Sequence, residues 1–116
     1  MRHRTQGRKF GRVEGPRKAM LRALATSLML DEKITTTSAR AKEIRPLVEH
    51  LLSRARENTL TARRELSEYL YTERAVLKVL NNLAPRYKAR TGGYTRITKM
   101  LTRKGDGAEM SRIELL

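Results

Sequence analysis

The chain has no cysteine and no tryptophan, and only one phenylalanine and four tyrosines among its 116 residues. Without cysteine there can be no disulfide and no thiolate metal site, and the composition fits a reducing compartment. Long apolar runs are also missing. None approaches the ~18 residues that a membrane span needs, and no signal-peptide apolar region follows the basic start. The core must therefore be built from Leu, Ile, Val, Met and Ala, within a length that suits one domain.

Catalytic groups are equally sparse. The two histidines, His3 and His50, lie far apart, and His50 on a helix reads as a structural or surface residue. Glu65 and Glu68 share a helix face, but Arg63 and Arg64 beside them point to ordinary surface pairing. "TGG" at 91–93 lacks the spacing and the Lys-Ser/Thr of a phosphate-binding loop and reads as a tight turn. No metal-ligand cluster is present. The expectation is a non-enzyme with no metal, no cofactor and no small-molecule substrate.

Acids are scarce too: 26 Lys and Arg face 12 Asp and Glu, a net charge of +14. A body this small repels itself at such a charge, so a polyanionic partner is expected. Residues 1–22 carry eight basic side chains and one acid, Glu14, and residues 85–104 carry seven and none. Residues 47–84 are nearly neutral, with six bases and five acids. Brought together by folding, the two blocks would make one cationic face.

Between the blocks the periodicity is helical. Gly15-Pro16 punctuates, and Met20, Leu21, Leu24 and Leu28 then predict a helix over about 16–30. "KITTT" (33–37) is β-branched and reads as a strand. Thr37 or Ser38 can cap the next helix, where Ala41, Ile44, Leu47, Val48, Leu51, Leu52 and Ala55 repeat every three or four residues. Pro46 is expected to kink it. "TARRELSEYL" and "TERAVLKVLNNLA" read as two further short helices, with Thr72 a cap between them and Pro85 closing the last. "YTRITKML" and "MSRIELL" read as a hairpin across the Gly-Asp-Gly turn, with Ile113 and Leu115 pointing inward. The order implies an α+β fold with about four helices over a three-stranded sheet. A basic extension (1–15) precedes a single domain (16–116).

The leader, "MRHRTQGRKFGR", lacks the apolar face and serines of a transit peptide. It reads instead as a nucleic-acid-binding extension, with a solubility tail as the bland alternative. Arginine grips phosphate bidentately, and glycine lets backbone approach it closely. Phe10 can anchor the extension to the body or to an RNA neighbour. In "PRYKARTGGYTR", Tyr87 and Tyr94 lie among Arg86, Lys88, Arg90 and Arg96. Aromatics among cations can stack on unpaired bases, which favours folded RNA over closed duplex. Tyr94, opening a strand, can equally be core.

"MRHR…GRKFGR", "KITTT-ARAKEIRPLVEHLL", "APRY-R-GGYTRI" and the "MSRIEL" ending closely resemble the bacterial ribosomal large-subunit protein L-seventeen family, in order and over essentially the whole chain. The resemblance implies a structural, non-enzymatic component of the cytoplasmic large subunit, bound to its large rRNA near the peptide exit tunnel. It implies a small mixed sheet packed against helices, and contacts with neighbouring ribosomal proteins through the near-neutral middle helices. Carried onto this sequence, the RNA-facing positions are Arg2, His3, Arg4, Arg8, Lys9, Arg12, Arg17, Lys18 and Arg22 from the first block. The second block adds Arg86, Tyr87, Arg90, Arg96, Lys99, Arg103 and Lys104. No homo-oligomer and no membrane partner are expected. A DNA-compacting protein, a cationic membrane-surface protein and an RNA-processing enzyme are the competing readings. The apolar stripes look committed to a core, which argues against the membrane.

Overall fold

The computed structural model describes residues 7–116. Helix α1 (Glu14–Asp31) begins with an acid in its first turn, which suits the positive end of the helix dipole. It ends at Glu32, in the left-handed region at φ 64°, whose N–H closes onto the Leu28 carbonyl. Strand β1 (Lys33–Thr37) follows at once. Thr37 then accepts a hydrogen bond from the Arg40 N–H and so caps α2 (Ser38–Arg56). Helix α2 runs unbroken across Pro46, which stays exposed.

Thr59 caps α3 (Leu60–Tyr69) and Thr72 caps α4 (Glu73–Lys78), each by accepting an N–H three residues on. Helix α4 continues through a π turn (Val79–Leu83) into a last α turn (Ala84–Arg86). Pro85 therefore does not close the helix as expected; it sits inside that final turn. In the π turn the Ala84 N–H reaches back five residues to the Val79 carbonyl. The wider turn makes room for the proline ring at the point where the hydrogen-bond register changes.

Strands β2 (Thr95–Lys99) and β3 (Met110–Leu115) form the expected hairpin, and β3 also pairs with β1, giving the order β1-β3-β2. The class is α+β, as read from the sequence. The sheet is not mixed, however: both pairings are antiparallel. The helical connection returns β2 in the same direction as β1, which alone would favour a parallel neighbour. The hairpin instead inserts β3 between them, so each outer strand meets only an antiparallel partner.

The core joins one stripe of each helix to one face of the sheet. Leu28 and Met29 of α1, Ile44, Val48 and Leu52 of α2, and Ile113 of β3 are all fully buried. The C-terminus is tied in three ways. The Leu115 N–H reaches the Glu32 carbonyl, the Leu116 N–H reaches the Tyr94 carbonyl, and the Tyr87 hydroxyl donates to the Leu116 carbonyl at 2.7 Å.

Candidate nucleic-acid interface

Helix α2 is the spine on which the second basic block is strung. Near its C-terminal end the Arg56 Nη2 donates to the Lys88 carbonyl at 3.1 Å. At mid-helix, Glu49 accepts from the Gly93 N–H, from the Thr95 N–H and from the Thr95 hydroxyl, at 3.2, 3.2 and 2.8 Å. At its start the Ser38 N–H donates to the Glu109 carbonyl at the base of the hairpin. The block is thereby stretched over the ~27 Å of a helix of this length. Gly93 takes a positive φ of 65°, which a side-chain-free residue adopts without strain.

The leader meets the same helix. The Arg8 N–H donates to Glu43 Oε1 at 3.2 Å. Phe10 and Gly11, at φ 54° and 62°, turn the chain so that the Arg12 N–H bonds the Lys9 carbonyl. Arg12 and Arg17 donate onward to the carbonyls of Phe10 and Arg12. Phe10 is half-buried. A cleft of about 510 Å³ lies between this turn and the helices, lined by Lys9, Arg17, Lys18 and Arg22 with Glu43 and Glu68 among them. Arg2, His3 and Arg4 lie outside the described residues.

The two blocks converge only in part. Arg8 at Glu43 and the hairpin base at Ser38 stand five residues apart on α2, roughly 8 Å along its axis. Arg86 instead pairs with Glu32 beyond the far end of α1. It therefore lies some 20 Å along that axis from Arg17. Folding thus yields an extended track and not one compact patch.

Many of the expected RNA contacts hold an acid within the fold. Lys18 pairs with Glu14 at 2.8 Å, Arg96 with Glu114 at 2.8 Å, Lys99 with Glu109 at 3.5 Å and Arg103 with Asp106 at 2.6 Å. Glu32 gathers both Arg86 and Lys78. These bonds, Arg86 first, hold the Glu32 carboxyl below its usual range against the opposing effect of burial. The Arg103 fork, helped by the Ala108 N–H, brings Asp106 down to about 2. Exposed pairs of this kind contribute little, so a phosphate can replace the carboxylate at small cost. Lys9 and Lys104 are exposed with no acid partner among the described residues. Arg90 donates to the Gly93 carbonyl and steadies its own loop.

Tyr87 does not present its ring for base stacking, contrary to the sequence expectation. It is 1% exposed and packs on Tyr94, fully buried, with ring centroids 5.1 Å apart. In a chain so poor in aromatics, the two largest rings of this block are needed to close the core beside the C-terminus. Burial raises the Tyr87 hydroxyl above its ordinary pKa. Arg22 also has a structural task. Its Nε and Nη2 donate to the carbonyls of Tyr69 and Glu68, and its guanidinium lies 4.4 Å from the Tyr71 ring centroid.

Sequence reasoning missed several contacts that span the chain. Glu65 pairs with Arg54 of α2 at 2.9 Å and not with Arg63 or Arg64 beside it, which leaves those two arginines exposed. Nothing local marked Glu49 or Glu32 as organisers of the second block. Lys42 and Arg45, exposed on α2, fell in a segment whose net charge hid them.

Among the described residues, no group of three or more His, Asp or Glu is placed to hold a metal ion. No helix there is long and apolar enough to cross a membrane.

Residues 20–116 match the family described as Ribosomal protein L17. The chain is 50% identical to the large ribosomal subunit protein bL17 of Thermomicrobium roseum over 116 residues, covering 100% of this chain and 99% of that one. It is 50% identical to the protein of the same name from Gemmatimonas aurantiaca, covering 100% and 98%. The bL17 of Desulforamulus reducens is likewise 50% identical over 109 residues, covering 94% and 97%. With a match over most of its length and relatives aligned end to end, the chain belongs to the ribosomal protein L17 family.

Proposed function

We propose that this chain, a structural constituent of the large ribosomal subunit in the bacterial cytoplasm, binds large-subunit rRNA along the track formed by its leader and its second basic block. It is not an enzyme, as its relatives are structural ribosomal proteins. One observation carries the RNA reading: cations outnumber acids by more than two to one, and Glu32, Glu49 and Glu65 are taken up by contacts between elements. Lys9 and Lys104 are exposed with no acid partner among the described residues. Phosphates replace the weak intramolecular partners of Arg96, Lys99 and Arg103, and counterion release drives association. Shape supplies specificity, since no base-reading module is present. A site near the peptide exit tunnel, and protein neighbours on the less basic middle helices, follow from the family resemblance.

The test is titration of deproteinised large-subunit rRNA with the full chain over a range of salt, with duplex DNA as competitor. Arg8→Ala/Lys9→Ala/Arg12→Ala, at exposed positions, is expected to melt like the wild type. It should bind more weakly, with a salt slope shallower by roughly 0.7–0.9 for each phosphate that is no longer neutralised. Wild-type binding that prefers duplex DNA, or that ignores salt, would refute the proposal.

A further inference from the structure

The strands direct alternate side chains to opposite faces of the sheet. One face carries Ile34, Ile97 and Ile113 into the core. On the other face Lys33, Thr35, Arg96 and Thr98 are exposed. Its central row is Thr35–Arg112–Thr98, with both threonines exposed, and the next row is Lys33–Glu114–Arg96. Arg112 belongs to neither basic block; it sits in the acidic C-terminal stretch, where the net charge conceals it.

We propose that this open sheet face is a third contact surface for structured RNA, with Arg112 at its centre binding a backbone phosphate and Lys33 and Arg96 flanking it. The inference rests on the rRNA-binding reading above and extends it to a surface that the two blocks do not include.

Three observations converge. First, the face carries three cations and one acid, and that acid is already taken: Arg96 Nε and Nη2 lie 3.0 and 2.8 Å from Glu114 Oε1. The surrounding cations, Arg96 first, hold the Glu114 carboxyl below its ordinary range, so it stays charged. Second, no acceptor among the described residues engages the Arg112 guanidinium, and its Nε is shut off from solvent without a partner. The buried Nε cannot itself reach an external group, but the remaining guanidinium donors, which no described residue engages, suit an external oxyanion. Third, the centre of the face is polar. Threonine hydroxyls on either side of Arg112 can bond phosphate or 2′-hydroxyl oxygens.

The test uses the full chain and deproteinised large-subunit rRNA. Arg112→Gln and Thr98→Asp are each expected to weaken binding about 5- to 10-fold near 0.1 M salt, the arginine variant with a salt slope shallower by roughly one. Thr98 is exposed on an outer strand, so Thr98→Asp decides the matter if Arg112→Gln fails to fold. If both sheet variants bind like the wild type at every salt concentration while the Arg8/Lys9/Arg12 variant is weakened, the sheet proposal is overturned and the rRNA reading stands. If they bind rRNA normally yet fail to enter large subunits, the face belongs to a protein neighbour, and the proposal is equally overturned. If the wild type shows no preference for rRNA over duplex DNA, the underlying reading falls and this one with it.

Discussion

Tyr87 separates two accounts of the second basic block. Among cations it resembles a base-stacking residue, but in the fold it is 1% exposed, packs on Tyr94 and donates to the Leu116 carbonyl at 2.7 Å. Tyr87→Phe removes the hydroxyl, with its bond to the Leu116 carbonyl and its interaction with Arg86, at a cost of about 1 kcal/mol. Tyr87→Ala also removes a buried ring and leaves a cavity, at a cost of about 3–5 kcal/mol. Against a total stability of roughly 5–15 kcal/mol for a domain, the second change takes a large share. Thermal unfolding followed by far-ultraviolet circular dichroism should show Tm lower by about 4 °C for the phenylalanine variant and by about 12 °C or more for the alanine variant. A folded Tyr87→Phe protein should bind rRNA as the wild type does. A stacking tyrosine would behave otherwise: alanine would lower affinity and leave Tm unchanged. That pattern would refute the buried placement.

Glu49→Gln keeps the shape but loses the charge that receives the Gly93 and Thr95 donors; a loss of about 1–2 kcal/mol is expected by urea denaturation. Arg22→Ala removes the bonds from α1 to the end of α3 and the contact with Tyr71, so hydrogen exchange should accelerate around Tyr69–Tyr71. For Glu32 the folded pKa is depressed, chiefly by Arg86. Its contribution is therefore complete above the ordinary value of 4.5 and lost as pH falls through the lower folded value. Glu32→Gln should flatten the acid limb of a stability–pH curve; an unchanged limb would exclude Glu32 as a source of acid sensitivity.

The helices were legible because their signals are local. Thr37 and Thr72 accept N–H bonds at the helix starts, as their positions suggest, and the α2 stripe from Ala41 to Ala55 repeats at the helical period; the Thr59 cap of α3 was not among the sequence expectations. "KITTT" and the hairpin strands could be read from β-branching and the Gly-Asp-Gly turn. The organisers of the basic surface could not. Glu49 and Thr95 are 46 residues apart, Glu32 and Arg86 are 54 apart, and Glu65 ignores its sequence neighbours for Arg54. No periodicity marks such pairs, because they exist only after the elements have packed.

The main helices and strands, the α+β class, the excess of cations and the family can all be read from the residues alone, while the π turn before Pro85 could not. Each feature so read follows from composition, from spacing within one element, or from motif order, and none requires a long-range contact. The sheet order β1-β3-β2, the burial of Tyr87 and Tyr94, and which cations carry an internal partner emerge only once the elements pack. Charge within a segment can be read directly from its residues. Whether a given arginine faces a carboxylate, a carbonyl or open solvent depends on which distant segments the core draws beside it.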